Sequence, residues 1–192
     1  MHHDTRAKLL EVAHELVMVH GFNNTGISHI LKEADVPKGS FYHYFASKDD
    51  LGFALLDRFS ALLQAHLRQF LSAYEGTALE ALRAYFEQLT VQFTDEFRLC
   101  NCLLGNLGQE LAIQHEGFRT AVRQHFNEIE QCLAQQFERA KGEGDLDPSW
   151  NSQDLARLLF SGWEGSLLRA KLEQSADHPA VFVRFFFGRL LA

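Results

Sequence analysis

The stretch Val36-Pro37-Lys38-Gly39-Ser40-Phe41-Tyr42-His43-Tyr44-Phe45 decides how this 192-residue chain is read. Pro37 suits the first turn of a helix, where its preset φ helps and its missing N–H is not needed. Gly39 lets the backbone approach a base or a phosphate closely. Lys38 offers a cation to phosphate or guanine, and Ser40 a small hydroxyl to a base edge. Phe41 and Phe45 are four apart, so they share a helix face and point inward toward Leu16 and Ile30. Tyr42 and His43 flank the groove as phosphate contacts, which position rather than specify. The amphipathic segment 27–34 comes just before. Together they read as the second half of a helix-turn-helix that contacts DNA through Lys38, Gly39, Ser40, Tyr42 and His43. Thr25, His29 and Lys48 are second-rank backbone contacts. The competing reading is a helical bundle whose aromatics only cover apolar surface.

Outward from this stretch the chain reads as all-α, with about nine helices. Apolar residues recur at helical spacing, and proline occurs only at 37, 148 and 179. Asp4 or Thr5 caps a first helix ending near His20, with Leu9, Leu10, Ala13, Leu16 and Val17 as its apolar stripe and Gly21 closing it. Thr25 caps a short second helix, Ala34-Asp35-Val36 makes the turn, and Pro37 starts a third helix ending near Phe45. Ser47 caps a long helix over about 48–74, with Asp49 and Asp50 in its first turn. Further helices are expected over 77–96, 103–112, 117–141, 152–172 and 177–191. Residues 1–48 form a helix-turn-helix domain and 49–192 a sensing and dimerisation domain, with the long helix connecting them.

The net charge of −7 is unusual for a DNA binder. Residues 1–48 carry five bases and five acids, so the acidity lies entirely in residues 49–192. Six of the ten histidines also lie in the first 48 residues and can add positive charge near neutral pH. Even so, this is not a basic patch. Binding must rest on local placement of Lys38 and Lys48, on helix N-termini, and on a surface doubled by dimerisation.

Other classes fit less well. No apolar run approaches the roughly 18 residues of a membrane span, and the N-terminus lacks the order of a signal peptide. A cytoplasmic protein is expected. No nucleophile motif, phosphate loop or pair of metal-binding histidines points to an enzyme. The three cysteines, Cys100, Cys102 and Cys132, do not suggest a disulfide framework. Cys100-x-Cys102 with His115 lacks the second ligand pair of a metal site. No metal or cofactor is called for. A helical interaction protein without DNA function remains the alternative class.

The pattern over residues 5–51 resembles the DNA-binding domain of the TetR family. It comprises an apolar first helix, Gly21-Phe22, Thr25-x-x-x-x-Ile30, Ala34-x-Val36, Lys38 to Phe45, then Ser47-Lys48-x-x-Leu51. The resemblance implies a repressor that binds a palindromic operator as a homodimer and releases it on sensing a small-molecule effector. It places Lys38, Ser40, Tyr42, His43 and Lys48 against DNA. Asp35 departs from it, since the family often has glycine there.

Three features mark the second half. Cys102 precedes a predicted helix, whose N-terminus favours thiolate, with Arg98 nearby in sequence. Lys171 lies late on another helix. Tyr85, Phe86, Phe93, Phe97, Phe118, Phe126, Phe137 and Trp163 can line an apolar pocket. Most such aromatics, and Cys132, read as core. Asn101-Cys102-Leu103 and Leu168 to Leu172 resemble the N-ethylmaleimide-responsive subgroup of the TetR family. That likeness implies that Cys102 senses electrophiles or oxidants with Lys171 near it. Of the aromatics, Phe93, Phe97 and Trp163 are the ones expected at the effector site. A non-covalent pocket, with Arg98, Arg119 or Arg169 holding a carboxylate, is the competing sensor. Dimerisation is expected through the last two helices, where Gly162 and Ser166 allow close approach and Phe182, Phe185 and Phe186 supply apolar area. Kinking or internal packing is the alternative role for the small residues.

Overall fold

The computed structural model describes residues 2–95 and 102–191, the side chains of 2–4 and 93–95 excepted; all the regular structure in them is helical. In order these are α1 (His2–His20), α2 (Ile27–Glu33), a 3₁₀ helix (Lys38–His43), α3 (Lys48–Ala73), α4 (Ala78–Asp95), α5 (Leu103–Leu111), α6 (Glu116–Glu143), α7 (Ser152–Glu173) and α8 (Asp177–Phe185). A π-helical turn, Phe186–Leu190, ends the series. No described helix is long and apolar enough to cross a membrane. The chain forms two compact units, one of residues 1–61 and 103–125, the other of 62–102 and 126–192.

The first unit is built on α1, whose Leu9, Leu10, Ala13 and Val17 are buried. Gly21 ends α1 at φ +80°, in the left-handed region where only glycine is unstrained. Thr25 corrects an expectation. Its side chain is fully buried and its hydroxyl donates to the Gly21 carbonyl at 2.7 Å. Gly26 precedes α2 without any side-chain cap. Thr25 therefore holds the α1–α2 loop together and has no surface to offer a phosphate.

The end of α2 is a Schellman closure: the Asp35 N–H donates to Lys32 (3.1 Å) and the Val36 N–H to Leu31 (2.9 Å). Asp35 takes the left-handed position at φ 50°, which explains why glycine is common there. Asp35→Gly is expected to stabilise the unit by about 1 kcal/mol, read as a higher urea midpoint at unchanged slope.

The third helix is 3₁₀ rather than α. Ser40 donates to Pro37 and Tyr44 to Phe41, both at 2.9 Å. Such i→i+3 bonds are common in segments this short. Phe41 and Phe45 are buried, their rings 5.5 Å apart, as their spacing predicts. Ser47 Oγ accepts from the Asp50 N–H (3.1 Å) at the start of α3.

In the second unit Thr77 and Glu80 form a reciprocal capping box ahead of α4, with bonds of 3.0 and 3.4 Å. Asn151 caps α7 by accepting from Gln153 and Asp154. Gly162 and Ser166 of α7 pack within the protomer, contrary to their assignment to a dimer interface. A β-carbon on Gly162 would run into the Phe182 ring, so glycine there serves α7–α8 packing within the protomer. Ser166 is buried and its hydroxyl donates to the Trp163 carbonyl at 2.7 Å. Phe186 is also buried, against Phe137, Phe182 and Phe187. Phe185 is 58% exposed; with Leu158, Val181 and Leu190 it forms the apolar exterior of α7, α8 and the π turn.

Candidate functional site

The 3₁₀ helix presents its polar residues outward from a buried aromatic anchor. Lys38, Gly39, Tyr42 and His43 are exposed and Ser40 is half-buried, while Phe41 is fully buried. A β-carbon on Gly39 would meet nothing within 4 Å, so the fold itself does not demand glycine there. The open backbone is available to an approaching surface. His29 is exposed on α2, 3.9 Å from Glu33. Lys48 is turned inward: its ammonium donates to the Asn23 carbonyl at 3.1 Å and lies over the Phe22 ring. Burial holds its pKa below the ordinary lysine value, while the charges of Glu110 and Asp49 pull it back up. The structure thus groups Lys38, Gly39, Ser40, Tyr42 and His43 on one short element and gives Thr25 and Lys48 to loop support.

Sequence reasoning missed Glu110 on α5. Its carboxylate accepts from the backbone N–H of Phe22 at 2.8 Å and of Asn23 at 2.6 Å. One local signal existed. An acid in the last turn of a helix faces the negative end of the dipole, so it has to be held there by something else.

In the second unit Cys102 lies immediately before α5 and is buried. The α7 group set against it is Glu164, whose carboxyl is hydrogen-bonded to the thiol. Burial pushes the Glu164 pKa up to about 7, and the Cys102 bond partly opposes the rise. Glu164 was not foreseen, since nothing local marks a glutamate next to a core tryptophan. Lys171 is exposed seven residues further along α7, about 10 Å of rise. Trp163 is a core residue, edge-on to Phe86 at 5.1 Å, rather than a free pocket wall. Arg119 pairs with Glu116 and Arg169 with Glu173, so both guanidiniums offered to a ligand carboxylate already face acids. Phe97, Arg98, Cys100 and the Phe93 side chain lie outside the described residues. Cys132 is buried on α6 with Ile129 and Leu133, as a small core residue.

Comparison with known proteins identifies the family. The model of bacterial regulatory proteins of the tetR family matches residues 9–55, and that of the tetracyclin repressor-like C-terminal domain matches 78–186. The HTH-type transcriptional repressor NemR of Escherichia coli K12 is 34% identical over 175 residues, covering 91% of this chain and 88% of NemR. The transcriptional regulator AcuR of Cereibacter sphaeroides is 36% identical over 166 residues, covering 86% of this chain and 76% of AcuR. The crystal structure of reduced E. coli NemR superposes with a TM-score of 0.88 at 32% identity over 95% of both chains. An exposed 3₁₀ helix on a buried aromatic anchor, in an all-helical chain matched along most of its length, makes this protein a member of the TetR family of DNA-binding transcriptional regulators.

Proposed function

We propose that the protein represses transcription by holding a palindromic operator as a homodimer, and that it lets go when a soft electrophile alkylates Cys102. The reading helix supplies Lys38, Gly39, Ser40, Tyr42 and His43 to the major groove of each half-site, with His29 toward the backbone. The apolar exterior formed by Leu158, Val181, Phe185 and Leu190 meets its twofold copy.

The observation that carries the sensor reading is the thiol of Cys102, seated at the foot of α5 against the Glu164 carboxyl. Attack on an activated alkene forms a sulfur–carbon bond, and the alkene π pair moves to the adjacent carbon. The thiol proton passes to the Glu164 carboxylate and then to that carbon, so the adduct is neutral and Glu164 is regenerated. The adduct adds volume where a buried side chain has none to spare.

The test uses an operator duplex selected from a randomised library with the reduced protein. N-ethylmaleimide is expected to weaken wild-type binding at least tenfold by fluorescence anisotropy and to leave Cys102→Ser unchanged. Equal release from both proteins refutes the sensor role of Cys102.

A further inference from the structure

We propose that Glu110 is the clamp through which α5 sets the DNA-binding position of the helix-turn-helix. The trigger rests on the reading of Cys102 above; the clamp does not.

Both carboxylate oxygens of Glu110 are engaged, one by the Phe22 amide at 2.8 Å and the other by the Asn23 amide at 2.6 Å. The partners lie 88 and 87 residues away in sequence, so this is a tertiary tie rather than helix capping. The loop is shaped to receive it. Gly21 sits at φ +80°, and a β-carbon there would stand 3.1 Å from Glu110 Oε2. From the other side Lys48 holds the Asn23 carbonyl and covers the Phe22 ring. The loop is thereby gripped by an anion on its N–H groups and a cation on its carbonyl.

A second tie lies one turn earlier on α5, where the Asn106 amide reaches Met18 Sδ at 3.8 Å. Residues 106 and 110 share one face of the helix, so α5 meets both α1 and the loop along one edge. Within the loop, Thr25 donates to Gly21 by its hydroxyl and to Phe22 by its N–H (3.1 Å). A displacement of Phe22 and Asn23 therefore carries α2, which begins at Ile27. Cys102 is the residue directly before α5. The helix is a rod of about 13 Å, so crowding at its start moves the turn that bears Glu110. Opening the clamp frees α2 and the reading helix from the spacing a fixed operator needs.

Three readouts test this: affinity for the selected operator duplex, amide exchange of the peptide spanning residues 20–26, and helix content. Glu110→Gln keeps the shape of the side chain and is expected to retain helix content. It should bind the duplex at least tenfold more weakly in the reduced state and exchange the Phe22 and Asn23 amides faster. Glu110→Asp keeps the charge but is one methylene short, and should behave the same way. N-ethylmaleimide should produce the same faster exchange in wild type. Binding by Glu110→Gln within twofold of wild type, with the amides still protected, overturns the clamp. If alkylation weakens wild-type binding while the amides stay protected, the clamp is overturned and the Cys102 reading stands. If alkylation changes nothing but Glu110→Gln still loses affinity and protection, the Cys102 reading fails and the clamp stands.

Discussion

Gly52→Ala is expected to destabilise the first unit by about 2–3 kcal/mol, and the cause is two aromatic rings. A β-carbon at position 52 would lie 2.6 Å from Phe118 and 2.8 Å from Phe22. Ring tips normally swing away from such an intrusion, but these two are boxed in. Phe118 is fully buried, stacked on Phe53 at 4.5 Å and edge-on to Phe22 and His115. Phe22 is buried under the Lys48 ammonium, and its own N–H is held by Glu110. One added methyl therefore presses on the core and the α1–α2 loop together. In a chain of this length the loss corresponds to a fall in melting temperature of roughly 5–10 °C. A calorimetric midpoint within 2 °C of wild type, at matched scan rate, means that the rings yield and the box is loose.

Glu164→Gln should reshape the pH dependence of stability. Glu164 has a folded pKa of about 7 against an unfolded value of 4.5, so folding favours its neutral form. Its contribution is fully present below pH 4.5 and is lost as pH rises through about 7. A rise of that size corresponds to about 3 kcal/mol, an upper figure for a carboxyl that is only partly shielded. Glutamine is neutral at every pH and keeps the side chain's length. The stability of wild type minus that of the variant should therefore fall between pH 5 and 8, by up to the amount just given, in urea titrations at several pH values. A difference that stays flat shows that Glu164 ionises as freely in the folded chain as in the unfolded one.

What the sequence made legible was local. Phe41 and Phe45 announce an anchored helix by their spacing, Gly21 marks a left-handed stop, and Ser47 is a cap whose partner lies three residues on. The reading surface follows from these, because it is the remainder of a ten-residue segment once the anchors are removed. Thr25 was misread because a threonine before a helix and a threonine inside a loop have the same neighbours in sequence. The 3₁₀ geometry was misread because proline at a helix start suits either form. Gly162, Ser166 and Phe186 were assigned to a partner chain because a pattern of small and aromatic residues does not say which helix fills the groove. The Phe182 ring of the same protomer fills it. Glu110 gave only the faint signal of an acid in the last turn of its helix, because its tie spans nearly ninety residues, and Glu164 gave none, because its partner Cys102 lies outside its helix.

Lys48 has one more consequence. With its ammonium engaged by Asn23, the first 48 residues, already balanced in charge, present fewer free cations to phosphate than their count suggests. Counterion release is then expected to contribute less to operator affinity than the cation count suggests, and hydrogen bonding and shape more. Repressors that depend on ionic attraction loosen when a cell under osmotic stress accumulates potassium. The operator affinity of this protein is therefore expected to fall less steeply with salt than its cation count implies, so that such swings leave the DNA complex largely in place.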